Sequence, residues 1–167
     1  YTLAVDAKGV TAKGKTARGV FYALMTLDQL LRGNGAMECA DAIPALFISD
    51  KPRTHVRELM VDPARTFIPF EDLKAFVPEM ARYKLNAMHL HLVDDQAWRI
   101  EIKKYPQLTE QASSRWGQDD IQMPYKGYYT QEQMRELVKL GAEYHVDIVP
   151  EIEMPGHEVA AISVFPE

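Results

Sequence analysis

The chain has 167 residues, of which 47% are hydrophobic and 26% are charged, and its formal net charge is -5. These values are typical of a globular protein with one sizeable core or two small ones, and the scattered lysines and arginines argue against a nucleic-acid partner. No apolar run reaches the ~20 residues of a membrane span, and the first residues lack the pattern of a secretion signal.

Residues 1–51 predict part of a small α+β domain. Alternating apolar and polar side chains at 1–6 and 10–13, joined through a Lys-Gly pair, are typical of a β-hairpin. Residues 16–32 carry apolar side chains at helical spacing, so we expect an amphipathic helix there. A short apolar stretch at 45–48, flanked by prolines, predicts a strand.

From 52 to 167 the pattern changes to alternating strands and helices, which is typical of a parallel α/β architecture. The expected strands cover 56–61, the stretch through His89, and 146–152. A helix separates the first two strands, and a second helix should begin after Thr130, because Thr-x-x-Gln fits a capping box. The roughly thirty residues before it show no strong period, which predicts a long loop.

The segment from His89 to Trp98 concentrates polar side chains at a strand end. Its sequence, HLHLVDDQAW, places His89 and His91 on one face of a strand and two aspartates, Asp94 and Asp95, directly afterwards. A second polar group lies at the end of the last expected strand and just beyond it, and it consists of Glu151, Glu153 and His157. Because parallel strands direct their carboxyl ends to one rim, we expect the two groups to lie together.

The residue pattern alone leaves three interpretations open. The first is a metal-dependent hydrolase, because His89 and His91 have the spacing of metal ligands. The second is a glycosidase that works with carboxylates, and the third is a sugar-binding module without catalysis. Carboxylates this close repel one another, so some must pair with arginine, histidine or a metal, or be partly protonated.

Four sequence blocks carry a more specific signal. In chain order they are RELMVDPAR at 57–65, YKLNAMHLHLVDDQAWRIEI at 83–102, GYYTQ at 127–131 and PEIEMPGH at 150–157. Together they resemble the family 20 glycoside hydrolases, the β-N-acetylhexosaminidases. Residues 1–51 are similar to the end of the small α+β domain that precedes the catalytic barrel in that family.

The resemblance implies a fold and a reaction. Residues 52–167 would form the first three β/α units of a (β/α)8 TIM barrel, so the fold class is α/β. The parent protein would remove terminal, non-reducing N-acetylglucosamine or N-acetylgalactosamine from glycans, with retention, through attack by the sugar's own acetamido oxygen. The resemblance implies no cofactor and no metal, and it implies a periplasmic or secreted parent protein.

The resemblance also implies roles for single residues. Asp94 and His157 would form a relay that supports the general acid, with Asp95 as the alternative partner of His157. Glu153, which stands where the family usually has aspartate, would support that relay. The substrate-binding residues would be Arg57, through sugar hydroxyls, and Trp98.

The family's catalytic Asp-Glu pair is missing, since no Asp-Glu dipeptide occurs in the sequence. General acid catalysis contributes about 10²- to 10⁴-fold, so we expect the isolated segment to be inactive. Three strands cannot close a barrel, so we also expect the isolated segment to self-associate or to need a covering partner.

Overall fold

The computed structural model describes residues 1–32, 42–114 and 126–166. The chain divides into two compact units, one made of Tyr1–Arg57 with Glu79–Asn86 and the other of Glu58–Pro78 with Ala87–Glu167. Within the described residues, no helix has both the length and the apolar character that crossing a membrane requires.

The first unit is built on an antiparallel sheet that packs with one helix. Its elements are β1 (Thr2–Asp6), β2 (Gly9–Lys13), α1 (Ala17–Arg32) and β3 (Leu46–Ser49). The strands pair in the order β2-β1-β3, so the predicted hairpin, helix and third strand are confirmed. Gly9 has a φ of +129, which residues with side chains rarely adopt, and this lets the hairpin turn close.

The second unit is built on a parallel sheet. Its elements in chain order are β4 (Glu58–Val61), α2 (Phe70–Arg82), β5 (Ala87–His91), β6 (Val93–Asp94), β7 (Ala97–Trp98), α3 (Gln107–Glu110), α4 (Gln131–Glu143), β8 (Asp147–Glu151) and α5 (Val159–Val164). Strands β4, β5 and β8 pair in that order and are parallel, as the sequence predicts. The last turn of α2 is grouped with the first unit.

The apolar residues of the parallel sheet and its helices form the core of this unit. Met88 and Leu90 of β5 and Leu73 of α2 have no exposed surface. Helix α4 begins at the predicted capping box, in which Thr130 accepts a hydrogen bond from the backbone of Gln133 and the Gln133 side chain accepts one from the backbone of Thr130. Because the apolar side chains of β5 are buried in this core, the alternate positions of the strand face the other way.

The segment predicted as a long loop contains the short elements β7 and α3. Val93 of β6 lies opposite Trp98 of β7 in an antiparallel ladder. Next to it Arg99 is fully buried and donates hydrogen bonds to the carbonyls of Pro63, at 2.8 Å, and Ser113, at 2.6 Å. Arg99 therefore holds this segment to the end of β4.

Candidate active site at the carboxyl ends of the parallel strands

Charged side chains gather past the carboxyl ends of the parallel strands. Asp62 follows β4, while His91 ends β5 and lies opposite Glu151, which ends β8. We call this group the carboxyl-end cluster, and it consists of Asp62, Arg65, His91, Asp94, Glu151, Glu153 and His157. Parallel α/β folds bind ligands at this rim, so the cluster is the candidate active site.

Asp94 is the centre of the cluster and is only 1% exposed. Its Oδ2 accepts hydrogen bonds from His91 Nε2 at 2.7 Å and from Arg65 Nη2 at 2.6 Å. Its Oδ1 accepts one from the backbone N–H of Asp95 at 2.6 Å. Burial alone would raise the pKa of Asp94, but the hydrogen bonds from His91 and Asp95 and the nearby Arg65 lower it, so this carboxyl group is ionised at neutral pH.

His91 connects Asp94 to the last strand. Its Nδ1 lies 2.6 Å from Glu151 Oε2, and the same oxygen lies 2.9 Å from Nε2 of His89. Glu153 is farther away, with Oε1 at 3.7 Å from His91 Nδ1. The hydrogen bond from His91 lowers the pKa of Glu151. Burial lowers the pKa of His91, but the hydrogen bonds to Asp94 and Glu151 outweigh this effect and raise it.

The two adjacent aspartates have different partners. His157, which is half exposed, places Nδ1 3.3 Å from Asp94 Oδ1. Asp95 is exposed, and its Oδ1 accepts a hydrogen bond from the backbone N–H of Val159 at 3.2 Å, at the start of α5. The geometry therefore favours Asp94 over Asp95 as the partner of His157.

Arg65 belongs to the cluster although its role was not predicted from the sequence. Its Nη1 lies 2.6 Å from Asp62 Oδ2 and its Nη2 lies 2.6 Å from Asp94 Oδ2, while 44% of its side chain stays exposed. Its place in the sequence was a usable signal, because it follows the end of β4 just as Asp94 follows the end of β5. An exposed arginine beside two carboxylates can also bind oxygens of a ligand.

Arg57 comes directly before the first residue of β4. Its Nε donates to the carbonyl of Lys84 at 2.7 Å and its Nη1 donates to that of Thr54 at 2.8 Å. Its Nη2 donates to the hydroxyl of Tyr22 at 2.7 Å. These partners all belong to the first unit, and the predicted contact between Arg57 and a sugar stays a prediction.

Trp98 lies in β7 and is 8% exposed. Its indole N–H donates a hydrogen bond to the carbonyl of Ile100 at 2.6 Å. The N–H group is thus used within the fold, and only a small part of the ring surface is open to solvent. The predicted contact between Trp98 and a sugar stays a prediction.

Two groups of side chains in the described part of the chain have their ligand atoms within 4.8 Å of one another. They are His91 with Glu151 and Glu153, and Asp94 with Asp95 and His157. By distance alone either group could hold a cation. However, both ring nitrogens of His91 already contact carboxylates, and His89 contacts Glu151. Hydrogen bonding accounts for the arrangement, and we assign no metal to it.

Comparisons with known proteins agree with one another. Residues 55–167 match the model of the glycosyl hydrolase family 20 catalytic domain, and residues 1–51 match domain 2 of that family. The chain is 43% identical to a β-hexosaminidase of Porphyromonas gingivalis, across 100% of this chain and 22% of that protein. It is 44% identical to a β-hexosaminidase of Akkermansia muciniphila, across 100% of this chain and 34% of that protein.

A solved structure of a glycoside hydrolase family 20 β-N-acetylglucosaminidase is also similar. It has a TM-score of 0.87 and 45% sequence identity, and the match covers 100% of this chain and 33% of that one. The chain thus spans between about a fifth and a third of the length of these relatives. The resemblance carried by the four sequence blocks is confirmed.

Proposed function

The chain belongs to glycosyl hydrolase family 20, and we propose that the protein containing it removes terminal, non-reducing N-acetylglucosamine or N-acetylgalactosamine from glycans. The observation that carries this proposal is the buried Asp94 carboxylate, which is held by His91 and Arg65 and lies 3.3 Å from the half-exposed His157. The names of the similar proteins, β-hexosaminidases and a β-N-acetylglucosaminidase, support it.

In the proposed reaction the acetamido oxygen of the sugar attacks the anomeric carbon while a glutamic acid protonates the leaving oxygen. Water then opens the cyclic intermediate with retention of configuration. Because the chain has no Asp-Glu dipeptide, we assign the acid to another part of the protein. Asp94 and His157 would support that acid, since the ionised Asp94 carboxylate lies 3.3 Å from Nδ1 of His157 and orients its ring. Glu153 would support the relay from the far side of His91.

The resemblance assigns the contact with the sugar hydroxyls to Arg57, which stays a prediction, and we add Arg65 as a second candidate. Arg57 donates its hydrogen bonds to groups of the first unit. Arg65 lies in the carboxyl-end cluster with 44% of its side chain exposed. Its pairing with Asp62 and Asp94 fixes the orientation of the guanidinium group before a ligand arrives, which reduces the entropy cost of binding.

The barrel fold of residues 52–167 and the cellular location of the parent protein are also proposals. The parallel order β4-β5-β8, with helices between the strands, fits the first three β/α units of a (β/α)8 barrel. The place of the parent protein in the periplasm or outside the cell rests on the family resemblance. The boundary between 1–51 and 52–167 and the self-association of the isolated segment stay predictions.

The test is an assay of the full-length protein on chromogenic β-linked N-acetylglucosaminide and N-acetylgalactosaminide. We expect turnover of at least one of them and none of the matching glucoside, which lacks the acetamido group. The isolated 167-residue segment, assayed in parallel, should show none. Equal turnover of the glucoside by the full-length protein, or turnover by the segment at the full-length rate, would contradict the proposal.

A further inference from the structure

His91 presents both of its ring nitrogens to carboxylates. Its Nε2 lies 2.7 Å from Asp94 Oδ2 and its Nδ1 lies 2.6 Å from Glu151 Oε2. A neutral imidazole carries one N–H and a carboxylate carries none, so two such contacts need one more proton than a neutral ring supplies. The extra proton is either on the ring, which makes His91 a cation, or on one of the two carboxyl groups.

We propose that Glu151 is a positioning residue for hydrolysis: together with Asp94 it holds His91 as an imidazolium, and this cation keeps the Asp94 carboxylate ionised and directed toward His157. This inference rests on the proposed function. It identifies Glu151 as a group that maintains the positive charge of His91, on which the Asp94–His157 pair depends. Glu151 therefore acts on the reaction through His91, Asp94 and His157, without touching the substrate.

The charges around His91 favour the cation over a protonated acid. Titratable and charged groups surround His91 from every neighbouring element. His89 lies on the same strand, Asp94 lies in β6, and His157 lies before α5. The ends of the two neighbouring strands contribute Asp62, Arg65, Glu151 and Glu153. Carboxylates outnumber the permanently charged cation in this set. The hydrogen bonds to Asp94 and Glu151 raise the pKa of His91 even though burial lowers it, which is consistent with a protonated ring.

His89 and Glu58 extend the same row of side chains toward the amino ends of the strands. His89 Nε2 lies 2.9 Å from Glu151 Oε2, the oxygen that also contacts His91. Glu58 Oε1 lies 4.0 Å from His89 Nδ1. Glu151 thus accepts from two histidines at one oxygen, which fixes its carboxylate. Glu58 is the matched control, because it is a glutamate of the same row without contact to His91.

The kinetic test compares the full-length protein with its Glu151→Gln, Glu151→Asp and Glu58→Gln variants on a chromogenic N-acetylglucosaminide. We expect kcat of Glu151→Gln to fall, by less than the ~10²- to 10⁴-fold that general acid catalysis itself contributes, with little change in KM. The alkaline limb of the kcat profile should move to lower pH, because His91 loses its proton more readily without the Glu151 charge. Glu151→Asp should recover part of kcat, and Glu58→Gln should keep the wild-type profile.

A second measurement is independent of activity. In full-length protein with ¹⁵N-labelled histidine, at about pH 7.5 where a free imidazole is mostly neutral, NMR should show both His91 ring nitrogens protonated. The His91→Gln variant assigns the signals, and Glu151→Gln should leave one nitrogen protonated. A wild-type ring with one protonated nitrogen, or a Glu151→Gln variant with unchanged kcat and pH profile, overturns the inference. If the wild-type protein hydrolyses no N-acetylhexosaminide, the proposed function fails, while the NMR result still decides the charge of His91.

Discussion

One arginine precedes strand β4 in the sequence and another follows it, and the two arginines bind different kinds of partner. Arg57, before the strand, donates to backbone carbonyls and to the hydroxyl of Tyr22. Arg65, after the strand, pairs with the carboxylates of Asp62 and Asp94 and keeps 44% of its side chain exposed. The partners indicate the role better than the residue type does: an arginine bound to carbonyls and a phenol connects chain segments, whereas an exposed arginine held by carboxylates can also meet a ligand.

The surroundings of the two arginines support this distinction. The backbone N–H of Arg57 donates to Asn86 Oδ1 at 2.8 Å, and Asn86 Nδ2 donates to the carbonyl of His55 at 2.9 Å. These bonds tie the residues before β4 to the residues before β5. Around Arg65 the partner Asp94 is shared with His91, so a change at any one of these side chains changes the charge balance of the others.

The largest effect is expected from Asp94→Asn in the full-length protein. This substitution removes the charge that pairs with Arg65, His91 and His157, and it leaves the buried His91 and the partly exposed Arg65 beside a neutral amide. We expect kcat on a chromogenic N-acetylglucosaminide to fall by about 10²-fold or more, within the range that acid–base support contributes.

The control for this prediction is Asp95→Asn, one residue further on. The asparagine oxygen can still accept the backbone N–H of Val159, so kcat should stay within about twofold of wild type, as for most exposed substitutions. A larger loss in Asp95→Asn than in Asp94→Asn would reverse the assignment of the His157 partner.

Replacing Arg65 and Arg57 one at a time tests which of the two arginines binds the sugar. Loss of a hydrogen bond from a charged donor costs about 1.5–3 kcal/mol, so Arg65→Gln should raise KM by roughly 10- to 100-fold if Arg65 binds the sugar. Arg57→Gln, measured under the same conditions, should leave KM unchanged. A higher KM in Arg57→Gln with an unchanged KM in Arg65→Gln would restore Arg57 as the sugar ligand.

The sequence predicted the scaffold of the site better than its contacts. The hairpin at the start of the chain, the parallel strands and the Thr130 capping box follow from periods and local motifs, which act over a few residues. The pairing of His91 with Glu151 joins residues 60 positions apart, and no local pattern reports it. Strand β7 falls in the predicted loop because a two-residue strand is too short to show a period.

The choice between Arg57 and Arg65 shows a different limit. Both arginines occur in one block, RELMVDPAR, and the resemblance assigns the sugar contact to Arg57, whereas Arg65 becomes a candidate only through its contacts in the structure. Their positions relative to the strand differ, and the rim of a parallel sheet that carries a site follows the strands, so strand position favours Arg65 where the resemblance favours Arg57. Arg57 precedes β4 and Arg65 follows it.

A smaller effect, on stability alone, is expected from Arg57→Met. Methionine has a side chain of similar length but cannot donate the hydrogen bonds to Lys84, Thr54 and Tyr22. We expect this loss to cost about 2–3 kcal/mol in local stability. Hydrogen exchange of the full-length protein should show faster exchange in peptides from the first unit, by roughly 30- to 100-fold in the opening equilibrium. Peptides that carry Asp94 and Glu151 should be much less affected. Arg65→Met is the matched control and should leave exchange in the first unit unchanged.

The smallest effect is expected from Tyr22→Phe, which removes only the hydroxyl that accepts from Arg57 Nη2. The phenylalanine ring would still lie under the guanidinium group, whose Cζ is 5.3 Å from the ring centroid, so the stacking contact is kept. The loss should therefore be that of a single hydrogen bond, about 1 kcal/mol, and exchange in the first unit should speed up only about fivefold. If Tyr22→Phe matched Arg57→Met in its effect, the phenol would be the main partner of Arg57 and the carbonyl contacts would contribute little. If it changed kcat or KM instead, the amino end of β4 would no longer be a purely structural region.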